Sequence, residues 1–96
     1  MISREEFIFT IGYDGGTAIV DGKAKAKYGK LGTVELAEAG LFRAAFASAV
    51  FSGSAEDLKA FADIYNAKAG TDYSTQEQFQ RLFGVKQEKV KRVLAL

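Results

Sequence analysis

The chain has 96 residues, of which 48% are hydrophobic and 26% are charged, and its formal net charge is +1. These values fit one small globular domain and exclude a disordered chain. The chain contains no cysteine and no histidine, which excludes thiolate and imidazole chemistry. We therefore expect a non-enzymatic protein with no catalytic site, no metal site and no cofactor.

The N-terminal residues show no basic segment followed by an apolar run, so no secretory signal is predicted. The longest uncharged run, Ala44 to Ala55, has 12 residues, whereas a bilayer span needs about 20. We expect a cytoplasmic protein that does not interact with membranes.

Ser3 and Glu6 have the spacing of a capping box, which predicts a helix over residues 4–11 ending at Gly12. The alternative is a strand over residues 7–11, joined to the extended run 17–20 by a turn at 14–16. A strand at 17–20 needs a partner. The candidates are residues 7–11, a segment near residue 96, or a second copy of the chain.

Residues 41–52 form the most apolar part of the chain and predict a central helix, in which Arg43 is the only charge. Arg43 is expected either to extend toward solvent or to pair with Asp57 or Asp63. Thr33 is the expected N-cap of this central helix, and Gly40 either lets another backbone approach closely or separates a short helix over residues 34–39 from the main helix at 41–52.

Ser54 and Gly70 bound the clearest amphipathic helix, and Ser74 with Glu77 predicts a helix over residues 75–83. The helical pattern resumes over residues 87–96, while residues 23–30 are expected to be a loop or one helical turn. The sequence thus predicts a mainly α single domain over residues 1–96. It is a small bundle of four to five short helices around central helix 41–52, with at most one short strand or hairpin near 17–20.

Positive charge is concentrated in two segments. Residues 23–30 contain four lysines and no acid, and residues 74–96 contain five basic residues and two acids, while the rest of the chain is net acidic. Two basic segments predict a face for an anionic partner, although lysines also solvate ordinary exposed helices and loops.

Residues 75–94 resemble the helix-turn-helix of bacterial DNA-binding regulators. Gly84 lies where that motif turns, and apolar residues occupy the places of its small core, at Phe79, Phe83, Val85, Val90 and Val93. The resemblance implies DNA binding through the second helix, by Lys86, Gln87, Lys89, Lys91 and Arg92, with Gln87 contacting base edges. The alternative is that both helices only pack in the core.

Residues 93–96 are entirely apolar, which favours docking either on the core of the same chain or on a second subunit. The alternative function is therefore a protein-interaction or assembly domain, with a homodimer as one form and no nucleic-acid role. The glycine-rich turn at 12–16 does not match a phosphate-binding loop. Four acids, at Asp14, Asp21, Glu35 and Glu38, lack the histidine partners that would indicate a catalytic or metal site.

Overall fold

The computed structural model describes residues 2–96. Its elements in chain order are α1 (Arg4–Ile8), β1 (Thr10–Asp14), β2 (Thr17–Val20), α2 (Gly22–Tyr28), α3 (Thr33–Glu38), α4 (Phe42–Ser52), α5 (Ala55–Ala69), α6 (Gln76–Phe83) and β3 (Arg92–Ala95). None of these helices is long and apolar enough to cross a membrane, within the described residues 2–96.

The predicted capping box at the start of the chain is present. The N–H of Ser3 donates to Oε1 of Glu6 at 3.0 Å, and the N–H of Glu6 donates to Oγ of Ser3 at 3.2 Å. The hydrogen bond from the Ser3 backbone lowers the pKa of the Glu6 carboxyl group, since it stabilises the carboxylate. The helix ends at Ile8, however, and not at Gly12 as predicted.

The chain then continues as a hairpin, but its first strand is Thr10–Asp14 and not the residues 7–11 of the alternative prediction. Asp14 pairs with Thr17 across a turn of two glycines, and Gly15 has a φ of 61°, which glycine adopts without strain. A capped helical turn and a hairpin therefore both occur in the first 20 residues, because the helix stops early enough for β1 to form.

The prediction of a mainly α bundle is wrong. Three strands form one mixed sheet in the order β1-β2-β3, with β1 antiparallel to β2 and β2 parallel to β3. The helix predicted over residues 87–96 is absent, since β3 occupies Arg92–Ala95 and residues 84–91 contain no helix. Pairing with β2 overrides the helical periodicity of this segment, so the molecule is an α/β mixture with six helices.

Helix α4 is central, as predicted, and has six buried residues in succession, from Ala44 to Ala49. It packs against α1, α3, α5 and α6. Phe46 contacts Phe61 of α5 and both Phe79 and Phe83 of α6, with ring centroids 5.6–5.9 Å apart. Small residues elsewhere on α4 let the other helices approach it closely.

The remaining helix boundaries follow local signals with small shifts. Ser54 caps α5, and Gly70 ends it as predicted. Helix α6 is capped by Thr75 with Gln78, one position later than the predicted pair. Helix α3 is separate from α4 and its N-cap is Gly32, because the hydroxyl of Thr33 instead donates to buried Ser48. The lysine-rich segment, expected as a loop or one turn, forms the two-turn helix α2.

Candidate functional site

The five residues predicted to bind DNA are all exposed, but no helix carries them. Four of them lie in the irregular segment 84–91 and Arg92 begins β3. Lys86 and Gln87 line an open groove beside α6, whereas Lys89 and Lys91 line an apolar groove with Ile2 and Phe51. The structure therefore divides four of these residues between two grooves, places Arg92 apart from both on β3, and does not present the five on one helix face.

The phenol of Tyr13 fixes the first part of this segment, since its hydroxyl donates to the carbonyl oxygen of Lys86 at 2.8 Å. Burial raises the pKa of Tyr13, because it disfavours the phenolate. The nearby carboxylate of Glu88 raises this pKa further, while Arg43 lowers it. Tyr13 thus remains a neutral hydrogen-bond donor through the physiological pH range.

Strand β3 leaves one of its backbone edges free. The N–H of Arg92 donates to the carbonyl oxygen of Gly16, and the N–H of Leu96 donates to the carbonyl oxygen of Val20. The carbonyl oxygen of Leu96 accepts from the N–H of Gly22. Backbone groups alternate in direction along a strand, so residues 92, 94 and 96 face β2 while Val93 and Ala95 face outward. Within residues 2–96, no backbone group outside the sheet pairs with Val93 or Ala95.

Beyond Arg92 at its start, this short strand lacks most of the features by which proteins usually protect an edge strand. Residues 93–96 contain no charge and no proline, and they form no bulge in the β2–β3 ladder. Leu94 is 50% exposed and Leu96 is 68% exposed. Exposed backbone groups together with exposed apolar side chains form a surface to which another strand can add.

The opposite edge of the sheet, at β1, is protected. A register shift between Thr10 and Gly12 bulges β1 at Ile11, and the charged Asp14 ends the strand. The Arg43 guanidinium reaches this edge, where Nη1 donates to the carbonyl oxygen of Thr10 at 2.8 Å. A bulge, a charge and an occupied carbonyl group all hinder the addition of a strand at β1.

Within the described part of the chain, only strand residues line the open space over the outer face of the sheet where β2 and β3 meet. Ile19 pairs with Leu94 in the register, and both side chains lie on this face next to Gly12 of β1. The next row consists of Asp14, Thr17 and Arg92. The face is therefore apolar in one row and charged in the next, and its apolar row reaches the free edge at Leu94.

The acids considered as ligands remain apart. No group of three or more Asp and Glu residues able to hold a metal ion occurs within the described residues 2–96. Asp21 instead caps α2, with Oδ1 accepting from the N–H of Ala24 at 3.1 Å. Arg43 bonds carbonyl oxygens of Thr10 and Phe83 and not the acids that the sequence suggested.

Comparisons with protein families, with curated proteins and with solved structures found no match for this chain. The candidate site therefore depends on geometry alone. Sequence reasoning missed β3 as an edge strand, although it named a segment near residue 96 as one candidate partner for strand 17–20. The usable signal was a pair of glycines, Gly16 and Gly22, which bracket β2 and which β3 approaches closely.

Proposed function

We propose that this protein is a binding module for protein assembly, which takes up an extended strand of a protein partner at the free edge of β3. The observation that carries the proposal is the contrast between the two sheet edges. The β1 edge is bulged and bonded to Arg43, while the β3 edge is apolar beyond Arg92 and has unpaired backbone groups. A cytoplasmic location belongs to this proposal.

The mode of binding follows from strand geometry. Val93 and Ala95 together offer two N–H donors and two carbonyl acceptors, and a partner strand would pair with these four groups. Backbone pairing supplies affinity in such complexes, and side chains next to it supply selectivity. Leu94 would contact an apolar side chain of the partner on the outer face, so we expect a preference for strands with alternating apolar residues.

The test uses a short capped peptide of alternating threonine and valine and follows backbone amide chemical shifts of the protein by NMR. We expect the amides of Val93 and Ala95 to shift in a saturable way. Ala95→Pro should abolish these shifts at residue 93 and its neighbours, because it removes an outward N–H without removing a bond to β2. Gly12→Ala, on the opposite strand, is the matched control and should leave binding unchanged.

Absence of any shift at the outward amides would contradict the proposal, and so would equal binding by the Ala95→Pro protein. Far-ultraviolet circular dichroism of that variant checks that the fold is retained. Leu94→Pro serves as a second comparison, since it removes an inward N–H and should unfold β3.

DNA binding is the second hypothesis, and the exposure of Lys86, Gln87, Lys89, Lys91 and Arg92 favours it. Without a recognition helix, we expect contacts to phosphates from the irregular segment 84–91 and from Arg92. Such binding is largely independent of sequence and weakens steeply with salt.

Fluorescence anisotropy with two unrelated duplexes, at about 50 mM and about 200 mM salt, measures this binding. The double variant Lys89→Gln/Lys91→Gln should bind more weakly and with a smaller salt slope. The control Lys59→Gln/Lys68→Gln makes the same change in net charge on α5 and should bind normally. No binding at about 50 mM salt would refute the hypothesis.

A further inference from the structure

We infer that the strand taken up at this edge is β3 of a second copy of the chain, in antiparallel orientation about a two-fold axis between the two Leu94 residues. This inference rests on the proposed function and names the partner. The two copies would form one six-stranded sheet in the order β1-β2-β3-β3-β2-β1.

The backbone of β3 is complementary to itself. With the axis at Leu94, Val93 of one copy lies opposite Ala95 of the other, and both of these residues have their backbone groups on the free edge. Each such pair exchanges two hydrogen bonds, so the two equivalent pairs use all four outward groups of each copy. The two Leu94 residues, whose backbone groups face β2, then form the central pair that is not hydrogen-bonded. Side chains are closest in a pair of this kind.

The side chains on the outer face fit the same register. Ile19 is the neighbour of Leu94 within each copy. The axis therefore generates a continuous apolar row of Ile19, Leu94, Leu94 and Ile19 across the interface. Leu94 is half-exposed in the single chain, and this row would cover it.

The charges near the interface are compatible with the antiparallel orientation. Each Arg92 is two residues from the axis, so the two guanidinium-bearing residues are separated along the strands by about 13 Å, which exceeds the Debye length in physiological salt. Leu96 lies opposite Asp21, as its bonds to Val20 and Gly22 show. The antiparallel register places Arg92 of one copy two strands, or about 10 Å, from Asp21 of the other, so opposite charges lie nearer to each other than the two Arg92 residues do.

The protected β1 edge limits the assembly to two copies. Pairing of β3 with β3 uses the same surface on both subunits and consumes both free edges. The outer edges of the six-stranded sheet would both be β1, with its bulge and its contact to Arg43. A closed dimer is therefore expected, and an open fibre is not. The contact of two four-residue strands is smaller than the roughly 1,200 Å² of a stable interface, so the dimer should dissociate on dilution.

The test measures mass by light scattering or sedimentation across a range of protein concentrations. We expect the mass to rise from the 10.4 kDa of one chain toward twice that value. Ala95→Pro should remain at the mass of one chain with an unchanged circular dichroism spectrum, since its fold keeps every bond between β3 and β2.

Single-cysteine variants test the register, because the natural chain has no cysteine. Leu94→Cys should form a covalent dimer in oxidised glutathione, since residues in a central pair that is not hydrogen-bonded have Cα atoms about 4.5 Å apart. Arg92→Cys is the control and should not form a covalent dimer, because the two residues at position 92 would be about 13 Å apart along the strands. Ready cross-linking at position 92 and not at 94 would overturn the antiparallel register.

The inference and the proposed function fail in different ways. A mass of one chain up to about 1 mM protein, with the threonine–valine peptide still bound at Val93 and Ala95, overturns the second copy as partner and leaves the strand-binding function standing. A mass of one chain with no peptide binding overturns both. A dimer that Ala95→Pro does not affect would place the interface elsewhere and overturns the second copy as partner, whereas the strand-binding function is then decided by the binding of the peptide at Val93 and Ala95.

Discussion

Arg43 shows how one charged side chain can connect three elements of a small domain. It projects from α4, and its Nη1 and Nε donate to the carbonyl oxygens of Thr10 and Phe83 at 2.8 and 3.2 Å. It thereby joins the beginning of β1 to the end of α6. The bond to Phe83 also satisfies a carbonyl in the last turn of α6, where no helical N–H is available.

Replacing Arg43 by methionine should lower the free energy of unfolding by about 1–3 kcal/mol, because two carbonyl groups lose a charged donor while the aliphatic volume is retained. Urea denaturation followed by circular dichroism measures the loss. Arg81→Met is the matched control, since Arg81 is exposed in the last turn of α6 and should cost less than about 1 kcal/mol. Equal losses in the two variants would show that the carbonyl contacts of Arg43 contribute nothing.

At the scale of the elements, β3 is held by its fit to the two ends of β2. An ideal Cβ on Gly22 would lie 2.6 Å from the carbonyl oxygen of Leu96, and one on Gly16 would lie 3.1–3.2 Å from the side-chain carbons of Lys91. The first of these neighbours is backbone, which cannot rotate away. Glycine at position 22 is therefore required by the approach of β3 and not by its own φ angle.

Gly22→Ala tests this requirement. Helix propensity alone would make alanine better than glycine in α2 by up to about 1 kcal/mol, whereas the clash with Leu96 predicts a net loss of stability. Hydrogen exchange should accelerate at the inward amides of Leu94 and Leu96. The control is Gly12→Ala, because an added Cβ there meets no atom within 4 Å. A Gly22→Ala protein that is more stable than the natural chain would refute the explanation.

The elements that the sequence predicted well are those that local contacts determine. Ser3 with Glu6 and Ser54 with Gly70 start or end helices through bonds within a few residues, so their spacing is visible in the sequence. The run from Leu41 to Phe51 was equally visible, because a helix that is apolar on all sides needs neighbours on all sides.

Strand β3 could not be predicted in the same way. Thr17 pairs with Arg92, about 75 residues later, and the pairing is parallel, so no turn between them marks the register. Val90, Val93 and Leu94 fit a helical spacing as well as a strand, and only the presence of β2 decides between the two. The site was missed for the same reason, since a free edge exists only once the sheet is assembled.

At the scale of the whole molecule, a helical layer supports a small sheet. The aromatic cluster of α4, α5 and α6 fills the interior on one side, where Phe46, Phe61 and Phe79 are fully buried. The buried hydroxyl of Ser48 accepts from both Arg4 and Thr33, and so ties α1 and α3 to α4. The inner face of the sheet, with Ala18 and Val20, is buried against the core, whereas Leu94 on its outer face is half-exposed.

The parallel pairing of β2 with β3 has a consequence for the order of events during synthesis. The hairpin β1–β2 is local and forms within a few residues, but all six helices leave the ribosome before Arg92–Ala95 does. Because pairings between distant segments form slowly, the sheet should gain its third strand in the last step of folding. A nascent chain therefore has no β3 edge to offer. Copies of the chain would be prevented from associating through this edge until each has completed its own fold.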